Sequence, residues 1–171
     1  MTEKRLTIRP CRSDETHQIL GIVNAAAQAY RGHIPDDRWH DPYMSSSELA
    51  EELAAGVAFT GCEVDGVLVG VMGIQPVRDV DLIRHAYVQP SMQGHGVGGV
   101  LLEHLKAAAA RRLLVGTWAA AEWAIRFYER HGFQLSPPKA TRELLKAYWN
   151  IPERQLETSV VLEGPSPASG A

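Results

Sequence analysis

Cysteine is scarce in this 171-residue sequence: Cys11 and Cys62 lie far apart, and neither has Cys or His neighbours at metal-ligand spacing. That argues against a disulfide framework and against a thiolate metal site, and the pair reads as reduced thiols of a cytoplasmic protein. No metal is expected. Long apolar runs are missing as well. None approaches the roughly 20 residues that span a bilayer, and Met1 to Arg9 is polar where a signal peptide would be apolar. The expectation is a cytoplasmic protein with no membrane partner. Positive charge is not in excess either: 17 Lys and Arg stand against 20 Asp and Glu, a net charge of −3. A general nucleic-acid binder would show a basic surface, so no nucleic-acid partner is expected. A local basic patch for a small anion remains compatible with this balance.

What is present suits one compact domain. Hydrophobic residues make up 45% and charged residues 22%, enough to bury a core and still form a small-ligand cleft. The domain is expected to cover residues 1–163. The final stretch, 164–171, reads Gly-Pro-Ser-Pro-Ala-Ser-Gly-Ala. It cannot build a core and is expected to be a flexible tail.

Arg5 to Arg9 alternates polar and apolar before Pro10 and predicts a first strand. Ser13 and Asp14 are placed to cap a helix over Glu15 to Ala29, with Ile19, Ile22, Val23 and Ala26 on its buried face. A polar stretch carrying Tyr30, Trp39 and Tyr43 follows. Ser45 with Glu48 three residues on is a capping-box pattern for a short helix ending at Gly56. Val57 to Val64 and Val67 to Ile74 flank Asp65-Gly66, a hairpin dipeptide. A turn near Arg78-Asp79 then leads to a strand over Val80 to Val88. The three strands form an antiparallel meander. Beyond a glycine-rich segment, Val100 to Arg111 is helical, with Leu101, Leu102, Leu105 and Ala109 on one face. Leu113 to Trp118 is a strand, Trp123 to His131 a helix stopped by Gly132, and Phe133 opens another strand. Lys139 to Trp149 is helical, and Leu156 to Leu162 supplies the last strand. The pattern predicts an α/β mixed sheet with helices on its faces.

The glycine-rich segment runs Gln93-Gly94-His95-Gly96-Val97-Gly98-Gly99 between a strand and a helix. Glycines let backbone N–H groups approach a ligand without obstruction by Cβ atoms. The helix start adds unpaired donors and a positive dipole end, so a pyrophosphate is the natural guest. The plain alternative is a helix cap with incidental glycines. A P-loop would need Lys-Ser/Thr at an offset absent here. A dinucleotide fingerprint would need a different glycine spacing at the start of a βαβ unit.

These residues resemble the GNAT superfamily of acyl-CoA N-acyltransferases. Gln93, Gly96 and Gly98 match its Gln/Arg-x-x-Gly-x-Gly/Ala hallmark, after a strand ending in Val-x-Pro at Val88 and Pro90. Ala124-Ile125-Arg126-Phe127-Tyr128-Glu129-Arg130-His131-Gly132-Phe133 resembles the family's Ala-x-x-Phe-Tyr-Glu-Lys-x-Gly-Phe. The resemblance implies a mixed, mostly antiparallel sheet of six to seven strands with helices on both faces. It implies acetyl-CoA as co-substrate, with the backbone of Ala86, Tyr87 and Val88 along the pantetheine arm. The N–H groups of Gln93, Gly94, His95, Gly96, Val97, Gly98 and Gly99 would then hold the pyrophosphate. Where family members often carry Asn, three residues before the Ala of the second motif, this sequence has Ala121. A polar contact to the cofactor is missing there or replaced by Glu122. Family members often form dimers, so a homodimer is implied by analogy.

Acetyl transfer to an amine needs alignment of two substrates, a stabilised oxyanion for which an N–H near Val88 would serve, a base for the amine and an acid for the thiolate. By resemblance Tyr128 is the acid; the alternative is a core tyrosine on a helix that buries Ala124 and Phe127. His85 is the candidate base, because imidazole titrates near neutrality. Glu63, Asp81 or a water chain are alternatives, and a lone strand histidine is often structural. Tyr30, Trp39, Tyr43, Arg84 and Trp118 are candidate acceptor-site residues, against the alternative that loop aromatics fold onto the core. Lined that way, the site would suit a small amine with an apolar body and a carboxylate. A non-catalytic acyl-CoA-binding or sensory module is the second reading, and transfer of a longer acyl chain a third. A histone or nucleoprotein acceptor is disfavoured by the lack of basic segments.

Overall fold

The computed structural model describes residues 5–165. Seven strands and six α-helices occur among them: β1 Leu6–Pro10, α1 Thr16–Ala26, α2 Ser46–Ala54, β2 Ala58–Val64, β3 Val67–Val77, β4 Val80–Val88, α3 Val97–Ala108, β5 Arg112–Trp118, α4 Glu122–Arg130, β6 Gln134–Leu135, α5 Pro138–Tyr148, α6 Glu153–Glu157 and β7 Ser159–Glu163. Hydrogen bonding orders the strands β1-β2-β3-β4-β5-β7-β6. The pairs β1–β2, β2–β3, β5–β7 and β6–β7 are antiparallel, and β4–β5 is parallel. This is the mixed, mostly antiparallel sheet expected. No helix among the described residues is long and apolar enough to cross a membrane.

The chain forms two compact units, residues 1–75 with 84–105 and residues 76–83 with 106–171. In the first, Asp65 (φ 51°) and Gly66 (φ 84°) both take the left-handed conformation that a two-residue hairpin turn needs. Between β2 and β3 the register steps from Cys62↔Gly70 to Glu63↔Leu68, leaving Val69 as a bulge. The bulge brings Leu68 to the same face as Val71. There it joins Ile19, Ile22 and Val23 of α1, Leu49 of α2, Val57 and Phe59 in one apolar cluster. On the opposite face, a Cβ on Gly70 would stand 2.6 Å from Val97 Cγ1 and 3.1 Å from Leu101 Cδ1, so α3 packs directly on the backbone of β3. In the second unit, Val80 and Leu82 of β4, Leu114 of β5, Val161 of β7, Leu145 of α5 and Leu156 of α6 form the other core.

Several expectations shift. Ser13 and Asp14 do not cap α1; they belong to a 3-10 turn, Ser13–Glu15. Glu15 causes this, because its carboxylate accepts the Arg12 N–H at 2.6 Å and the Arg9 guanidinium at 2.7 Å, tightening the chain before α1. The helix expected to Ala29 closes at Ala26 into a second 3-10 turn, Ala27–Tyr30. Helix α3 begins three residues early, at Val97, and ends before Ala109. The strand expected from Leu156 begins at Ser159. Pro152 starts a helical turn instead, with Leu156 N–H bonded to its carbonyl at 3.1 Å, and that turn drives Leu156 into the core. Of the expected tail, Gly164 donates its N–H to Leu113 O at 2.9 Å; residues 166–171 lie outside the described residues.

Candidate functional site

Strand β4 pairs with β5 from Val80↔Arg112 to Ile83↔Val115. The next two residues, Arg84 and His85, both approach the carboxylate of Glu52. His85 has φ 55°, inside a strand. A non-glycine residue held there costs about 1–3 kcal/mol and persists only where its surroundings fix it. Here Phe59 stacks on the imidazole, with centroids 6.2 Å apart and planes at 29°. Beyond the ring, His85 Nε2 is buried without a well-aligned hydrogen bond and faces Glu52 Oε2 at 3.4 Å. The other oxygen of Glu52 accepts from Arg84 Nη2 at 3.2 Å. Arg84 Nη1 donates to Gln75 Oε1 at 3.0 Å, and Gln75 Nε2 donates to Ala55 O at 3.1 Å. The adjacent His85 imidazole holds the Glu52 carboxyl below its usual range, against burial and with help from Arg84. Glycine at 73 is required for this close packing: a Cβ there would sit 2.8 Å from Arg84 O.

Tyr87, two residues on, lies at the end of a run of aromatic contacts. Trp39 meets Tyr43 at 5.8 Å, Tyr43 meets Tyr30 at 5.9 Å, and Tyr30 meets Tyr87 at 6.3 Å. Burial, the nearby Tyr30 and Tyr43 phenols, and hydrogen bonds with them raise the Tyr87 hydroxyl well above its ordinary pKa. The three tyrosines therefore converge on one point at the edge of the apolar cluster formed by α1, α2 and β3. Arg31 lies over the Trp39 ring at 6.0 Å.

After Val88 the chain turns. Gln89 N–H donates to Val69 O, the bulge carbonyl, at 2.7 Å. Pro90–Met92 forms a 3-10 turn, and Gln93 Nε2 reaches back to Val88 O at 3.2 Å. Gly94 (φ 80°) and Gly96 (φ 83°) are both left-handed, and nothing lies within 4 Å of where their Cβ atoms would be. Their role is conformational, and the space beside them is open. The first intrahelical bond runs from Val100 N–H to Gly96 O at 3.0 Å. The amides of Val97, Gly98 and Gly99 therefore precede the helical ladder and form the donor end of the α3 dipole. A phosphate group fits this arrangement of open space, donors and dipole.

The second unit holds Tyr128, Trp118 and Asp81. Tyr128 is 5% exposed and packs between Phe127 (5.1 Å) and Phe133 (5.5 Å). Ala124 and Phe127 are half-buried. Ala121 is fully buried ahead of α4, which has no side-chain cap. Trp118 is buried at the end of β5. A second tryptophan, Trp149, covers β5: a Cβ on Gly116 would be 3.1 Å from its ring. The other two base candidates are each held by an arginine. Glu63 accepts from Arg9 Nε at 2.6 Å, and Asp81 from Arg111 Nη2 at 2.7 Å. Among the described residues no group of three or more His, Cys, Asp or Glu is placed to hold a metal ion. Sequence reading missed Glu52. The available signal was its position three residues after buried Leu49, which puts a carboxylate near the inward face of α2. The left-handed His85 left no sequence signal.

A strand that runs out into a glycine turn and a helix N-terminus makes a phosphate-binding arrangement, and comparison with known proteins gives it a context. Residues 55–135 match the family model described as acetyltransferase (GNAT) domain. An uncharacterized N-acetyltransferase of Methanocaldococcus jannaschii is 26% identical over 166 residues, covering 88% of this chain and 68% of that one. The PaiA N-acetyltransferase of Thermoplasma acidophilum, solved in complex with coenzyme A, superposes with a TM-score of 0.69 at 14% identity, covering 94% and 98% of the two chains. The yncA protein of Salmonella typhimurium, solved with its cofactor acetyl-CoA, gives 0.65 at 20% identity over 97% and 96%. The chain is thus similar to GNAT acetyltransferases, in sequence over residues 55–135 and in fold across most of its length.

Proposed function

We propose that this protein transfers the acetyl group of acetyl-CoA to a primary amine of a small molecule or peptide. The observation that carries the reading is the turn from β4 into α3, where left-handed Gly94 and Gly96 leave open space in front of the Val97, Gly98 and Gly99 amides. These groups, with the rest of Gln93–Gly99, would hold the pyrophosphate, and the backbone of Ala86, Tyr87 and Val88 would run beside the pantetheine arm. When bound, the cofactor supplies the activated acetyl group as a thioester. His85 is proposed as the base that takes a proton from the acceptor's ammonium group, freeing the neutral amine to attack the thioester carbonyl. Its support is a half-buried imidazole set between Glu52 and Phe59, while Glu63 and Asp81 are each bound to an arginine. Tyr128 is proposed, on the motif it belongs to, as the acid that protonates the departing thiolate. An amide near Val88 would receive the developing negative charge.

Tyr30, Trp39, Tyr43 and Arg84 are proposed to receive the acceptor, with Trp118 kept on sequence grounds. The aromatic run favours an acceptor with an apolar body. Arg84 is already bound by Glu52 and Gln75, so a carboxylate on the acceptor would have to share its guanidinium. An assay of free CoA release from acetyl-CoA across a broad amine panel tests the reading. Thiol release dependent on an amine is expected. Measurable acetyl-CoA binding with no release across the panel would point to a sensory module instead.

A further inference from the structure

Successive side chains of a strand point to opposite faces, yet Arg84 and His85 of β4 both reach one carboxylate, that of Glu52 on α2. The left-handed φ of His85 accounts for this. It breaks the alternation at that residue and turns the imidazole to the side already occupied by the Arg84 guanidinium. The carboxylate is divided between them: Oε1 takes Arg84 Nη2 at 3.2 Å and Oε2 faces His85 Nε2 at 3.4 Å. Gln75 anchors the far side of Arg84, and its own amide is fixed to Ala55 O, the residue that follows α2. On the remaining side the ring rests on Phe59. The charged group that faces the imidazole in these contacts is Glu52 from α2, whose other oxygen is held by Arg84 of β4. Phe59 of β2 and Gln75 of β3 add none.

We propose that Glu52 is the positioning residue of this site, clasping Arg84 and His85 across the break in β4 and fixing which nitrogen of His85 carries the proton. An ionised carboxylate can only accept a hydrogen bond. Facing Nε2, it selects the tautomer with hydrogen on Nε2 and leaves the Nδ1 lone pair to take a proton. In the acetylation step the ammonium proton of the acceptor passes to Nδ1. The Nε2–H stays on the ring, and the resulting imidazolium is balanced by Glu52. Glu52 itself touches no reacting atom. This inference rests on the reading of His85 as the base, but its geometry can be tested without turnover.

The test is ¹⁵N–¹H correlation spectroscopy of the full chain labelled at histidine, with the His85 ring assigned by its loss in His85→Gln. In the wild-type protein the neutral His85 ring should show the Nε2–H pattern. Glu52→Gln should lose that pattern, giving the Nδ1–H form or a mixture, because a carboxamide can donate to Nε2. Arg84→Gln, which leaves the carboxylate in place, should keep it and so separates the carboxylate from general packing at this spot. A wild-type ring protonated on Nδ1, or a folded Glu52→Gln protein with the wild-type pattern, overturns the proposal. Turnover separates the two ideas. His85→Gln with undiminished CoA release would overturn the base reading alone, and an unchanged tautomer in Glu52→Gln would overturn the positioning role alone.

Discussion

Glu15 is 4% exposed and is met by Arg9 through two hydrogen bonds of 2.7 Å and by the Arg12 N–H at 2.6 Å. The Arg9 bonds, and then the Arg12 N–H, hold its carboxyl at about 2. A carboxyl depressed in the folded chain contributes stability that is fully present above its ordinary value near 4.5 and is lost as the pH falls towards about 2. The difference corresponds to about 3 kcal/mol. Glu15→Gln should therefore lose about 3 kcal/mol at neutral pH, and its urea midpoint should fall less steeply than the wild type's below pH 4.5. Equal pH slopes for the two proteins would mean that the Arg9 pairing is not the source. The second residue-scale prediction concerns Tyr128. Removing its hydroxyl in Tyr128→Phe should lower kcat by about 10²-fold or more and leave acetyl-CoA affinity within experimental error. An unchanged kcat would take the acid role away from it. Motif and strand position single out Tyr128 and His85 in the sequence as the proposed acid and base. The sequence could not show that Glu52 stands against His85, because that contact joins residues far apart in the chain through a backbone conformation histidine rarely adopts.

At the scale of elements, local chemistry was the readable part. The capping pattern at Ser45 is realised: the Glu48 N–H donates to Ser45 Oγ at 3.1 Å, so Ser45→Ala should cost about 1 kcal/mol, visible as a lower Tm. Asp65-Gly66 forms the tight hairpin turn its dipeptide predicts. The misplacements have physical causes. Helix α6 is only five residues long, too short to show a period, and the bulge at Val69 leaves no compositional mark in a run of valines and glycines. The glycine turn supports a sharper prediction. Gly94 is left-handed with open space around its Cβ position, whereas Gly21 lies within α1, also with open space. Gly94→Ala should therefore destabilise by about 1–2 kcal/mol through backbone strain alone and weaken acetyl-CoA binding measured by calorimetry. Gly21→Ala should stabilise by about 0.5–1 kcal/mol and leave binding alone. Equal acetyl-CoA affinity in the two variants would argue that the turn is an ordinary helix cap.

For the molecule as a whole, element order was legible because each strand and helix carries its own period. The likeness to GNAT acetyltransferases was legible because two motifs, around Gln93–Gly98 and Ala124–Phe133, occur in the right sequence of elements. The acceptor was not legible. It depends on which side chains of a loop meet, and the run from Trp39 through Tyr43 and Tyr30 to Tyr87 emerges only when the chain folds. The central claim is that the activated acetyl group leaves CoA for an amine. It is tested most directly by following acetyl-CoA labelled at the carbonyl carbon in the presence of enzyme and each amine of a panel. The label should appear in an amide of at least one amine, matched one for one by free CoA. A protein that binds acetyl-CoA but leaves the label in the thioester, or releases it only as acetate, would contradict the account.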